Sequence, residues 1–229
     1  VTNCIARRTR ASGGGAAGLN LPQVASYPLP SDEELPVNRV RWPLSAKRAA
    51  LLIHDMQQYF LNFWGEDSAL IKQVVENIAN LRRYCKQQGI PVFYTAQPNQ
   101  QSDEDRALLN DMWGPGLNKH PEQQAVTAAL APDEDDTVLV KWRYSAFHRS
   151  PLQEILQESG RDQLIICGVY AHIGCLTTAI DAFMRNIQPF MVADKLKPKT
   201  AAAAQAAYEN LQRLCANKDT ATLGTTLVA

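Results

Sequence analysis

Two rhythms alternate along this 229-residue chain. Compact apolar runs are separated by longer stretches in which apolar positions recur every three or four residues. Ala49-Ala50-Leu51-Leu52-Ile53 is such a run, closed by the polar pair His54-Asp55. A short uninterrupted apolar run suits a strand buried on both faces. Residues 71–88 then place Ile71, Val74, Val75, Ile78 and Leu81 at helical spacing, and Gly89 supplies the stop. Further strands are predicted over residues 90–95, Thr137–Val140, Gln163–Val169 and 189–193. Helices are predicted over 103–110, 122–130, 150–159 and 172–186. Pro151 falls at a favourable first helical position and Gly160 just past the end. A last helix over 201–215 and an edge strand near 221–224 complete the pattern.

Strands alternating with helices imply βαβ units. The expected fold is α/β: three α-β-α layers around a mostly parallel, Rossmann-like sheet of five or six strands. In such sheets ligands bind beyond the carboxyl ends of the strands. That rule singles out Asp55, Gln97, Lys141 and the loop 168–174, which are far apart in sequence. Residues 1–20 carry Arg7-Arg8-Thr9-Arg10 and Gly13-Gly14-Gly15 and read as a flexible tail. No apolar stretch follows the basic residues, as a secretory signal requires. Residues 21–229 read as one domain, with the Pro-rich stretch 21–43 as an arm anchored by Trp42.

Composition removes several classes of function. The 23 basic and 23 acidic side chains cancel, so nothing draws the whole molecule to nucleic acid or an anionic membrane. No apolar run approaches the roughly 20 residues that cross a bilayer. The five cysteines are scattered, with no Cys-x-x-Cys pair; this favours reduced thiols in a cytoplasmic protein over a disulfide framework or a zinc site. His54, His120, His148 and His172 lack metal-ligand spacing and read as structural or hydrogen-bonding residues. Neither Gly-x-Gly-x-x-Gly nor a Walker-type loop is present, so nucleotide binding is not supported. Trp64, Trp113 and Trp142 read as packing residues, Trp113 lying in a turn where it could wall a pocket.

Asp55 directly follows an apolar strand, and Lys141 holds an equivalent position. Burial would raise the pKa of Asp55 and make it a proton donor, whereas a neighbouring Lys141 would lower it. A substrate anion beside Lys141 would tip the balance back towards the acid. A helix-capping Asp and a solvent-exposed Lys are the plainer alternatives. If the strand continued through them, His54 and Asp55 would face opposite ways. The backbone N–H groups of 168–174, entering a helix, suit a carboxylate or a developing oxyanion.

Five motifs occur in order: His54-Asp55-Met56-Gln57, Tyr94-Thr95-Ala96-Gln97-Pro98, Trp113-Gly114-Pro115-Gly116, Lys141-Trp142-Arg143-Tyr144-Ser145-Ala146-Phe147 and Gly168-Val169-Tyr170-Ala171-His172-Ile173-Gly174. Together they resemble the isochorismatase family, over residues 21–194, and most of all its enterobactin-type siderophore branch. The resemblance implies hydrolysis of the enolpyruvyl vinyl ether of isochorismate to 2,3-dihydro-2,3-dihydroxybenzoate and pyruvate, without metal or organic cofactor. Asp55 would be the acid and Lys141 its charged neighbour. Gln97 and Arg106 would bind the substrate's polar groups, and Tyr170 and Gly174 its pyruvyl end. Phe60, Trp113 and Tyr144 would form an apolar wall. The resemblance also implies a homo-oligomer and siderophore synthetase partners.

Alternatives are the phenazine-pathway relative acting on 2-amino-2-deoxyisochorismate, a non-catalytic partner-binding module, and an amidase of the wider superfamily. The amidases carry a nucleophilic Cys where this chain has Gly174. Cys175 lies one residue later, a rotation of about 100° on a helix, which should take it out of the site. The chain departs from the family after Asp194, reading Lys195-Leu196-Lys197-Pro198-Lys199. The aryl carrier domain of the bifunctional siderophore proteins is not expected here.

Overall fold

A computed structural model describes residues 41–65 and 67–197, with positions 26, 28, 29, 38 and 40 ahead of them; for 193–197 only the backbone is described. The expected tail 1–20, helix 201–215 and strand 221–224 lie outside the described residues.

The first apolar run forms β1 (Ala49–His54), buried throughout as its uniform hydrophobicity dictates. A short turn of helix, α1 (Gln58–Leu61), leads to the long α2 (Ala69–Gln87), whose N-terminus is capped by the Ser68 side chain. The inward stripe of α2 consists of Leu70, Ile71, Val74, Ile78, Leu81 and Cys85. Then come β2 (Val92–Ala96), α3 (Asp103–Arg106), α4 (Leu108–Trp113), β3 (Thr137–Val140), α5 (Leu152–Glu158), β4 (Gln163–Val169), α6 (Leu176–Met184) and β5 (Gln188–Lys197).

The sheet has five strands in the order β3-β2-β1-β4-β5, and each adjacent pair is parallel. Strand alternation divides the core in two. Leu51 and Ile53 of β1 pack with the α2 stripe on one face. Ala50 and Leu52 pack with Leu152 and Leu156 of α5 and Ala179 and Ala182 of α6 on the other. Three α-β-α layers result. From the N-terminal arm, Leu29, Val40 and Trp42 pack on the α2 side, and the Trp42 ring meets Phe190 edge-on at 6.4 Å.

Four expected elements differ. The helix expected over 122–130 is absent, and only 3-10 turns at Pro121–Gln123 and Ala128–Leu130 form. Tertiary contacts have taken its backbone: Gln58 N–H bonds Ala125 O, Thr127 N–H bonds Met56 O, and Gln57 pairs with Val126. The helix expected over 103–110 breaks at Ala107 (φ +41) into α3 and α4. Pro151 is the cap of α5 rather than its first helical residue. The helix expected over 172–186 opens with a wide turn, Ala171–Cys175, before α6 begins.

Candidate active site

β1 ends at His54, and the chain turns sharply at Asp55 (φ +50). Left-handed backbone is uncommon for a side-chain-bearing residue, and Asp is among those that tolerate it. The strand therefore does not continue, and the expectation of opposed side chains fails. His54 Nδ1 lies 3.4 Å from Asp55 Oδ2.

Asp55 is 8% exposed and held from two further sides. Thr95, near the end of β2, donates its hydroxyl to Oδ1 at 2.6 Å and accepts the Asp55 backbone N–H at 3.1 Å. Lys141 follows β3, its backbone tied to Ala96 O, and its Nζ donates to Oδ2 at 2.9 Å. Burial pushes the Asp55 carboxyl up, but His54, Lys141 and Thr95 together hold it below the usual carboxylate range. The resting group is thus a carboxylate.

Gln57 and Gln97 lock the ends of β1 and β2 through a reciprocal pair: Gln57 Nε2 donates to Gln97 O at 2.9 Å, and Gln97 N–H to Gln57 Oε1 at 2.7 Å. The Gln97 side chain passes to Gln101, which also accepts from Arg106 Nη1 at 2.9 Å. Arg106 is 1% exposed. Its Nε donates to Asn110 Oδ1 and its Nη2 to Gly114 O. No ion pair to a carboxylate is found for it among the described residues. Burial lowers the pKa of its guanidinium from the ordinary value. A buried cation held by neutral acceptors at the edge of a cleft is suited to an anionic ligand.

These groups border an open cleft of about 720 Å³, its mouth included. The structure brings every candidate from the sequence to it: Asp55, Lys141, Gln97, Arg106, Tyr170, Gly174, Phe60, Trp113 and Tyr144. Trp113 Nε1 donates to Tyr144 Oη at 2.9 Å, and Tyr170 Oη to Phe60 O at 2.9 Å, so the aromatic walls are mutually fixed. Sequence reasoning missed Tyr59, Phe63, Leu109, Arg143 and Ile173, which also line the cleft. Tyr59 and Phe63 lie one turn apart around Phe60, a helical clue that was available. Trp142, expected to be packing, lines the cleft and carries the Arg149 guanidinium over its ring at 4.4 Å. Trp64 is a core residue stacked near Tyr170.

Gly174 is a glycine by necessity of space. A Cβ there would overlap His54 Cε1 and lie 2.8 Å from Nε2. Cys175 is fully buried among residues of the α5–α6 side, and burial pushes its thiol well above the ordinary value. It does not line the cleft.

Among the described residues the carboxylates that could group round a metal are Asp133, Asp135 and Asp136. They precede β3, at the end of the sheet opposite the cleft, and Arg82 and Lys86 already pair with them at 2.6 to 2.9 Å. No described helix is long and apolar enough to cross a membrane.

Residues 49–222 match the family described as the isochorismatase domain. The chain belongs to the isochorismatase family. Enterobactin synthase component B of Escherichia coli is 68% identical over 176 residues, which are 77% of this chain and 62% of that protein. The chain thus spans about three-fifths of that relative's length. A phenazine biosynthesis protein of Pseudomonas aeruginosa is 46% identical over 196 residues, 86% of this chain and 94% of that one. Among solved structures, a cysteine hydrolase from Pseudomonas syringae pv. phaseolicola has a TM-score of 0.73 at 23% identity, covering 89% of this chain and 98% of that one. At that identity the likeness is one of fold. The family's three-layer α/β architecture is the one described above.

Proposed function

We propose that the chain is an isochorismatase, hydrolysing the vinyl ether of isochorismate in catecholate siderophore biosynthesis. The observation that carries this reading is an acid without a nucleophile. Asp55 sits in the cleft with Lys141 on one oxygen, while Gly174 stands at the helix entry and the thiol of Cys175 is turned into the core. Such a site can move a proton and, among the described residues that line it, holds no cysteine, serine or threonine. The 68% identity to an enterobactin synthase component supports the siderophore branch.

In this reading Arg106 binds a substrate carboxylate and Gln97 a neighbouring polar group. The bound anion beside Lys141 weakens the hold of Lys141 on Asp55, so that Asp55 takes up a proton. Asp55 transfers that proton to the terminal methylene carbon, and the vinyl ether becomes an oxocarbenium ion. Water adds to that cation and returns a proton to Asp55. The hemiketal then collapses to pyruvate and the ring diol. Tyr170 and Gly174 border the pyruvyl end, and Phe60, Trp113 and Tyr144 keep bulk water from the cation. The proposal extends to a cytoplasmic homo-oligomer that works beside siderophore synthetases.

The test is pyruvate release from isochorismate, followed by coupling to lactate dehydrogenase, with Asp55→Ala as control. Release by the wild type alone supports the reading. Release only from 2-amino-2-deoxyisochorismate assigns the chain to the phenazine reaction, which its 46% identity to a phenazine protein keeps in view. Release from neither, by folded protein, removes the enzyme assignment.

A further inference from the structure

His54 is a buried titratable side chain beside the acid, and the proposed reaction gives it no task. Its ring is wholly enclosed. Nδ1 lies 2.9 Å from Val169 O and 3.4 Å from Asp55 Oδ2, and both of these are acceptors. Nδ1 therefore carries the proton of a neutral imidazole. Nε2 is buried without a hydrogen-bond partner. On the far side the ring is so close to Gly174 that a Cβ there would overlap it. Its own backbone is equally confined: Gly168, paired with it across β4 at φ +113, leaves no room for a Cβ against His54 O.

The charged groups facing the ring are Asp55 and Lys141. Burial, with the Lys141 charge, lowers the imidazole to about 4, against the raising effect of Asp55 and of the Val169 carbonyl. At neutral pH the ring is an uncharged donor.

We propose that His54 is a positioning residue for Asp55: with Nδ1–H donated to Val169 O and the ring wedged against Gly174, it sets the positive edge of a neutral imidazole 3.4 Å from Asp55 Oδ2 and limits how the carboxylate can turn. The same wedge occupies the volume that any side chain at 174 would need. A site with His54 in this place is committed to proton transfer and closed to a nucleophile at 174. The proposal rests on Asp55 being the acid, as the proposed function has it.

The test uses the full chain. Long-range 1H–15N spectra at pH 7 should show His54 neutral and protonated on Nδ1, with a shift that responds to Asp55→Asn. A ring protonated on Nε2, or one indifferent to Asp55, overturns the proposal. His54→Ala should lower kcat about tenfold or more while KM changes less than about threefold. It should also move the descending limb of the kcat profile to higher pH, since a carboxylate that loses the neighbouring positive edge of the imidazole is more readily protonated. His54→Asn, which keeps an N–H, should restore most of both effects. Loss that is uniform across pH, or that Asn does not relieve, reduces His54 to packing.

For the wedge, Gly174→Ala should lower the urea midpoint in the wild type and leave it nearly unchanged in the His54→Ala background. An equal cost in both backgrounds overturns it. Should the wild type turn over no isochorismate, the proposed function fails, and the spectra and the urea cycle still decide the role of His54.

Discussion

Thr95 gives its hydroxyl proton to Asp55 Oδ1 at 2.6 Å and takes the Asp55 backbone N–H in return at 3.1 Å. The carboxylate is thus fixed to the neighbouring strand before Lys141 is considered. Removing that donor makes the carboxylate easier to protonate. Thr95→Val is expected to move the descending limb of the kcat profile, which reports Asp55 in the substrate complex, up by about one pH unit. Rate measurements across pH 5 to 9 on both proteins decide it; an unmoved limb means that Thr95 only packs.

Asp55 and Lys141 should separate in kind. Asp55→Asn removes the transferable proton and is expected to cost about three orders of magnitude in kcat with the fold intact by circular dichroism. Lys141→Met leaves the acid but removes the cation that meets the substrate anion and orients the Asp55 carboxyl, and should cost about a hundredfold. Retention of more than a tenth of activity in Asp55→Asn would dismiss Asp55 as the acid.

Arg106 has its Nε, Nη1 and Nη2 bonded to neutral oxygens, so a lysine cannot replace its forked grip. Arg106→Lys is expected to raise KM about tenfold or more and to leave kcat within about threefold, the pattern of lost uniform binding. A fall in kcat at constant KM would give Arg106 a part in the transition state instead.

Cys175 is buried and its thiol is held in the neutral form. Cys175→Ala should leave kcat/KM within about threefold and cost stability by about 1 kcal/mol for the small space it opens. Iodoacetamide applied to native protein should label Cys175 only after unfolding. Rapid labelling with parallel loss of activity would return the amidase reading.

Stability should fall on mild acidification, and His54 gives the sign. Its folded-state value is about 4, below the ordinary value of 6.5. Between these the unfolded chain binds a proton that the fold refuses, so stability drops as pH falls through that window, by about 3 kcal/mol at most. Asp55, held below its usual range, adds a further loss only below about pH 4. Urea unfolding at pH 7 and pH 4.5 should show the drop in wild type and a smaller one in His54→Asn.

The sheet was legible because its strands are buried on both faces and read as unbroken apolar runs; β1, β3 and β4 fall within a residue of their expected bounds. The cleft was legible because parallel strands converge at their carboxyl ends, which places Asp55, Gln97 and Lys141 together. What escaped was decided by contacts distant in sequence. The 122–130 segment has apolar spacing fit for a helix, but its N–H and C=O groups answer to Met56, Gln57 and Gln58. The turn at Asp55 is a single backbone angle that no periodicity reveals, and it alone brings His54 and Asp55 to one side. The contact of His54 with Gly174 spans 120 residues and shows in the sequence only as one glycine among many.

The strand order β3-β2-β1-β4-β5 also sets a sequence of events at the ribosome. The chain lays its central strand first, builds outward to one edge, and only then returns to fill the other. Asp55, Thr95, Gln97, Arg106 and Lys141 all emerge with or directly after these first three strands. Val169, Tyr170 and Gly174 arrive later, after a parallel pairing of β4 with β1 that bridges more than a hundred residues. A nascent chain paused after β3 therefore carries its acid and its arginine but has neither the anchor for His54 nor the closed end of the cleft. Competence comes as a late event in biogenesis, when β4 docks against a strand made long before it.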